Sequence, residues 1–320
     1  MYFFTSIYTL AVLLFPSCGM AMQKPPPLVS GDAIRIIATG GAVNPSALTN
    51  GTTVLRDIYG LQIRQHPSVL DADLYYAGTD EVRARSVIEA VHEDGVKAIW
   101  AARGGYGTTR IIESTQDNVI NSLRGYPRWL VGYSDLTALH ALWNRAGMLS
   151  LHGPMGSDVQ FFSDAARENM FGILAHQVSE LTFSGTVRRR GKGNVNGKFL
   201  GGNLSVLAGM VGSGFLPSYQ GAILFIEDTG EVDYRLDRLL TTLLRSEDFS
   251  GIVGIAIGQL LDGDTDDYTA LELLDRTLAP LGLPVITGLP IGHDTATAMP
   301  VVVGADAEID VEAGSLVISF

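Results

Sequence analysis

At 320 residues the chain can bury a full hydrophobic core, as one large domain or as two of ordinary size. Hydrophobic residues make up 46% and charged residues 18%, a balance that excludes an intrinsically disordered chain. The formal net charge of −12 argues against a nucleic-acid partner, because such binding is driven by Lys and Arg displacing counterions.

The chain opens with an apolar stretch from Ile7 to Phe15, followed by Pro16-Ser17-Cys18-Gly19, and has no charged residue before Lys24. This reads as an export leader over residues 1–21, too short for a membrane span, with small residues suited to cleavage after Ala21. The expected location is therefore periplasmic or exported, or cytoplasmic if the start is misassigned. Cys18 is the single cysteine, and its lipidation is the one route to a membrane. Removal of the leader leaves no cysteine for a disulfide, a thiol nucleophile or a metal. Residues 22–30, with Pro25-Pro26-Pro27, read as an extended linker.

From Ala33 onward, apolar runs alternate with stretches of helical period. AIRIIAT, VKAIWAAR, RWLVGYS and MLSLHGPM read as buried strands. TDEVRARSVIEAVHEDG reads as a helix capped by Thr79, with Asp80 and Glu81 in its first turn and Gly95 closing it. Such alternation predicts a Rossmann-like parallel sheet, an N-terminal α/β domain over residues 31–165. Functional groups should then collect at the carboxyl ends of its strands, where Arg103-Gly104-Gly105 and Gly132-Tyr133-Ser134 both lie. Residues 166–190 are expected to connect this domain to a second, smaller β-rich α+β domain over residues 191–320. That half contains AILFIED, DYRLDRLLTTLLRS, IVGIAIGQLL, ALELLDRTLAPLG and three late strands. The basic run Arg188-Arg189-Arg190 with Lys192 reads as a solvated strand or loop face.

Ser134 sits at a sharp strand-to-helix turn, where a serine can be presented as a nucleophile and the next N–H, that of Asp135, can meet an oxyanion. Ser and Asp are equally good helix caps, and the closing glycine of G-x-S-x-G is missing, so both readings stand. Gly104, Gly105 and Gly107 lack the spacing of a dinucleotide or P-loop motif, although a glycine pair lets backbone N–H groups approach a reacting carbonyl. Arg103 could hold a substrate carboxylate or pair with Asp135. Six histidines compete as base: His66, His92, His140, His152, His176 and His293. His152 ends a strand, and His293 lies in a Gly- and Pro-bounded loop suited to presenting a side chain. None has metal-ligand spacing, so no metal or other cofactor is expected. Glu227 and Asp228 end a strongly apolar strand, where a carboxylate needs a partner, either a histidine ring or a helix N-terminus.

Taken together, YYAGTDEVRA, ARGGYGTTRI, VGYSDLTALH, LHGPM, LGGNLSVLAG, ILFIEDTGEVDYRLDRLL and LPIGHD stand in one order that resembles the LD-carboxypeptidases. These serine peptidases include murein tetrapeptide carboxypeptidases and microcin-C immunity hydrolases. The resemblance implies an α/β domain joined to a smaller β-rich domain, with the active site between them. It implies Ser134 as nucleophile, Glu227 as acid and His293 as base, with Glu231 a nearby competitor for the acid. The oxyanion would be met by the N–H of Asp135 and that of Gly104 or Gly105. Arg103 and Asn203 are candidates for binding the substrate. The implied substrate is a small murein peptide that loses its terminal D-alanine, and the implied assembly a homodimer. Hydrolysis of peptidyl or aminoacyl nucleotides is the alternative, although residues 156–200 offer only phenylalanines, among them Phe161, Phe162, Phe171 and Phe183, to stack on a base. A non-catalytic binder of murein fragments is a third reading. Val301-Val302-Val303 after Pro300 departs from the family pattern and leaves the register of the last strands open.

Overall fold

The computed structural model describes residues 22–320. The expected leader, with its cleavage point after Ala21 and Cys18, lies outside the described residues. In chain order the first half runs β1 (Ala33–Ile37), α1 (Pro45–Asp57), β2 (Gln62–Gln65), α2 (Asp80–His92), β3 (Val96–Ala101), α3 (Thr108–Gly125), β4 (Trp129–Gly132), α4 (Thr137–Arg145), β5 (Ser150–His152) and α5 (Asp164–Leu174). The second half runs β6 (Glu180–Ser184), β7 (Thr186–Arg190), β8 (Val195–Asn203), α6 (Leu204–Gly209), β9 (Ala222–Thr229), α7 (Asp233–Arg245), β10 (Gly254–Leu261), α8 (Ala270–Leu278), β11 (Pro284–Thr287), β12 (Val301–Val303), β13 (Asp306–Asp310) and β14 (Ser315–Ser319).

Among the described residues these strands build two sheets. The first has the order β12-β5-β4-β3-β1-β2, with β1 to β5 parallel and β12 antiparallel at one edge. The parallel core follows from the sequence: β3 and β4 are apolar without alternation, as strands covered by helices on both faces must be. Local signals also fix the helices. Thr79 caps α2 through Val82 N, as expected, and Asn44 caps α1 with Pro45 in its first turn.

The second sheet has the order β6-β14-β13-β8-β9-β10-β11-β7, and by strand number it is the larger of the two. Its centre, β8 to β11, is parallel, and antiparallel strands extend it on either side.

Three expectations change. Residues 166–190 are more than a connection: they carry most of α5 and both outermost strands of the second sheet, β6 and β7. Alternation in β7 leaves Val187 and Arg189 half-buried against the sheet while Arg188 and Arg190 face water, and Arg189 pairs with Asp275 at 2.7 Å. Residues 301–303 leave the second half altogether and pair with β5 in the register Val301↔His152, which settles their placement. Residues 22–30 form a packed strap: Leu28 is buried, the Pro26 carbonyl accepts from Trp129 Nε1, and the Pro25 carbonyl accepts from His176.

The two sheets meet where β8 ends against the start of α4. A Cβ on Gly202 would lie 2.5 Å from Thr137 Oγ1, so only glycine permits this approach. The Asn203 N–H donates to the same Thr137 oxygen at 2.9 Å in a buried contact. Thr137→Val should leave that N–H without an acceptor and cost roughly 1–3 kcal/mol. A urea unfolding midpoint equal to that of the unsubstituted protein would show that the contact contributes nothing.

Candidate active site

Ser134 lies two residues beyond Gly132, the last residue of β4, and stands at φ +61°, a region that non-glycine residues occupy only when the surroundings hold them there. Ser134, Asp135 and Leu136 form one 3-10 turn before α4. Neither the turn nor α4 has a side-chain cap, so the capping reading of Ser134 is not what this turn uses. The backbone is held from both sides. His140, one face of α4 later, donates from Nε2 to the Gly132 carbonyl at 2.9 Å and accepts from Ser150 at 2.8 Å. Burial lowers the His140 pKa to about 3, so this ring is neutral and structural.

Asp135 turns its carboxylate away from Ser134 into the protein. Its Oδ2 accepts from the Thr108 N–H at 2.9 Å and the Thr108 hydroxyl at 2.6 Å, at the start of α3. It does not pair with Arg103. The glycine loop after β3 comes close to the serine: a Cβ on Gly104 would lie 3.3 Å from Ser134 Oγ. The Gly104 carbonyl accepts from Gly41 N, which fixes this loop to the one after β1. A fully buried Arg83 reinforces the arrangement by donating to the carbonyls of Thr39, Gly78 and Gly107.

From the second sheet, Glu227 arrives at the end of β9 with no exposure at all. Its Oε2 accepts from His293 Nδ1 at 2.6 Å, while His152 Nε2 stands 3.7 Å from Oε1. Burial alone would raise the Glu227 pKa, but the two imidazoles outweigh it and bring it down to about 2. His293 shows the reciprocal balance. Burial disfavours its cation, but the adjoining Glu227 carboxylate, with Asp228 and Asp158 beyond it, holds the pKa above the ordinary imidazole value. The His293 loop is stitched to β10 by Gln259, whose backbone N–H donates to Ile291 and whose side chain accepts from Asp294 N.

Ser134 and His293 both line two adjoining cavities. One, of about 290 Å³, also holds Arg103, Gly104, Gly105, Tyr133 and Asp158. The other, of about 590 Å³, also holds Tyr106, Asn203, Asp228 and Glu231. The sequence-selected residues Ser134, Glu227, His293, Arg103, Gly104 and Gly105 thus converge, whereas His66, His92 and His176 bond elsewhere. Asn203 lies at the wall, but its amide is already engaged: Oδ1 caps α6 and Nδ2 donates to Asp228. Asp228 is likewise committed, to Ser205, Asn203 and Thr229, and Glu231 faces Arg235 rather than a histidine. Among the described residues no group of three or more His, Cys, Asp and Glu is placed to hold a metal, and no helix is long and apolar enough to cross a membrane. Phe162, Phe183 and Phe199 are buried, and none of the five phenylalanines of residues 156–200 lines either cavity.

Tyr133 and Asp158 were not singled out from the sequence. Tyr133 donates to Asp158 Oδ2 at 2.8 Å and sets its ring edge-on to His293, with centroids 4.9 Å apart. The only sequence signal for Asp158 is an acid close behind the strand end LHGPM.

Residues 34–153 match the family model of the LD-carboxypeptidase N-terminal domain and residues 196–309 that of its C-terminal domain. A Streptomyces coelicolor relative with a provisional carboxypeptidase name is 35% identical, over 92% of this chain and 96% of its own. The crystal structure of muramoyltetrapeptide carboxypeptidase from Oxalobacter formigenes superposes with a TM-score of 0.78 at 29% identity, covering 90% of this chain and 99% of that one. The microcin self immunity protein MccF, at 23% identity and a TM-score of 0.81, covers 94% and 99% and shares the fold.

Burial raises the Asp158 pKa to about 7, against the hydrogen bonds from Tyr133 and Met155 N. The folded state therefore keeps a proton that the unfolded chain releases near pH 4, and stability falls as pH rises from about 4 to 7. In Asp158→Asn, whose Oδ1 can accept from Met155 N while Nδ2 donates to the Tyr133 hydroxyl, this loss should vanish. Denaturant unfolding at pH 5 and pH 8 should show the variant gaining on the parent with pH; parallel curves would contradict the assignment.

Proposed function

The chain belongs to the LD-carboxypeptidase family, and we propose that it is a serine-type L,D-carboxypeptidase releasing the terminal D-alanine of murein tetrapeptides. One observation carries the reading: His293 gives Nδ1 to a buried, ionised Glu227 at 2.6 Å and shares a cavity with the strained Ser134. With Nδ1–H held by the carboxylate, Nε2 is the lone-pair nitrogen left for the serine.

His293 Nε2 takes the proton of Ser134 as Oγ bonds to the carbonyl carbon of the diaminopimelate or lysine residue before D-alanine. The N–H groups of Asp135 and of Gly104 or Gly105 meet the oxyanion. The imidazolium then gives its proton to the D-alanine nitrogen as the C–N bond breaks, leaving an ester on Ser134. Water, deprotonated by His293, hydrolyses that ester and the proton returns to Oγ. Glu227 stays ionised and favours the imidazolium at each transfer.

The cavities suit the two sides of the scissile bond. The smaller has room for D-alanine and contains Arg103, a donor for its free carboxylate. The larger can take the rest of the peptide stem. Asn203, with its amide engaged, leaves that recognition to other groups. Hydrolysis of peptidyl nucleotides draws no support from the phenylalanines of residues 156–200.

Ser134→Ala should lower D-alanine release from a murein tetrapeptide by roughly 10⁴-fold or more while the thermal melt stays in place. Release at the parent rate would end the proposal. Because His293 acts as a neutral base and its pKa lies above the ordinary value, kcat/KM should rise with pH through an ionisation above about 6.5. A profile flat between pH 6 and 8 would count against His293 as the base.

A further inference from the structure

His152 differs from the other polar side chains of the site in having a buried nitrogen with nothing to bond. It ends β5 between Gly132 of β4 and Val301 of β12 and is 2% exposed. Its Nε2 has no hydrogen-bond partner among the described residues, and neither has Oε1 of Glu227. These two bare atoms face each other at 3.7 Å. Buried polar groups left unmade are rare and costly, and two on one line are complementary. The nitrogen in question must carry the hydrogen, since a lone pair aimed at a carboxylate oxygen would be repelled.

We infer that His152 is a positioning residue of the hydrolytic site, whose Nε2–H is the second donor to the Glu227 carboxylate, on Oε1, opposite His293 on Oε2. The inference rests on the hydrolase reading of Ser134, Glu227 and His293. A carboxylate bonded on one oxygen only can rotate about its Cγ–Cδ bond; a donor on the other oxygen fixes the plane in which Oε2 meets His293. The same donor takes a share of the carboxylate's charge and so tempers how strongly Glu227 favours the imidazolium. The His152 ring is itself confined by Phe225 edge-on at 5.4 Å, Tyr133 at 5.8 Å and the neutral His140 at 6.3 Å. The titratable groups facing Glu227 and His293 are His152 from β5, Tyr133 just after β4, Asp158 from the turn before α5 and Asp228 from β9, with His140 of α4 behind His152. Of these, only His152 presents an uncommitted hydrogen to Glu227.

Two substitutions separate this role from packing. Met fills much of the ring's volume and donates nothing, whereas a Gln amide can still donate to Oε1. His152→Met should lower kcat about tenfold with KM within about twofold, and should move the acid limb of kcat/KM to higher pH, because an unshared carboxylate makes His293 more basic. His152→Gln should return kcat to within about threefold and restore the limb. A Met variant with the parent's kcat and pH profile, or a folded Gln variant as impaired as Met, would overturn the inference. A readout without substrate keeps it distinct from the hydrolase reading: the His293 ring titration followed by NMR, with the signal assigned through His293→Gln. An upward shift in the Met variant alone supports the inference, and identical titrations in all three proteins overturn it. If purified parent releases no D-alanine from any muropeptide, the hydrolase reading fails while this titration still decides the role of His152. Should the Met variant not fold, a Gln variant that keeps the parent titration supports the inference and one that departs from it refutes it.

Discussion

A carboxylate with no access to water, Glu227 at the end of β9, constrains the rest of the molecule. An isolated ionised carboxylate in such a place is prohibitively costly, and in most proteins it would take up a proton. Here it stays ionised because an imidazole from a distant loop reaches it at 2.6 Å. That requirement fixes the loop of residues 290–297, which Gln259 ties down and which must pass over the strand end before the chain can return through β12 to the first sheet. The return in turn binds the two sheets together, so the chain passes between them three times. The position of His293 in the cleft that Ser134 also lines is thus a consequence of pairing a buried charge.

On the other side of the cleft the problem is strain. Ser134 is held in the left-handed region by contacts that are all made behind it: Asp135 to the start of α3, His140 to the Gly132 carbonyl, and Gly104 packed against its side chain. These anchors leave Oγ on the cavity wall without using it. A serine that capped a helix would have spent its oxygen on a backbone N–H; here the carboxylate of the following residue ties the turn to α3 and leaves the hydroxyl free.

Much of this was legible in the sequence. Unbroken apolar runs separated by capped helical periods identify a parallel sheet, and glycine loops and Ser134 at strand ends locate the cleft, because both signals are local. The resemblance in motif order then selected Glu227 and His293 among equally plausible acids and histidines. What escaped depends on distant pairing. TVRRR alternates like any half-exposed strand and carries no mark of the edge it joins, and Val301–Val303 is apolar enough for either sheet. Helix α1 was missed because its Thr- and Gly-rich sequence has low helix propensity, although Asn44-Pro45 signals its start. Asn203 had the composition of a binding residue; the cap it forms on α6 and its bond to Asp228 are visible only in three dimensions.

Four buried or nearly buried carboxylates surround the cleft, and their partners set one of them apart. Asp135 is answered by the start of α3 and a threonine, Asp228 by a serine, an asparagine and backbone N–H groups, and Asp158 by a tyrosine and the N–H of Met155. Donors of that kind do not change their own charge near neutral pH, so these three acids fix geometry and adjust the local potential. Glu227 alone is hydrogen-bonded to a group that gains and loses a proton in the working range. Its burial is best compensated when His293 is cationic, so the pair favours the imidazolium. A carboxylate matched to neutral donors would have no coupling to a titrating group. Matching it to an imidazole makes the same burial favour any step in which His293 gains a proton, as the proposed hydrolysis requires.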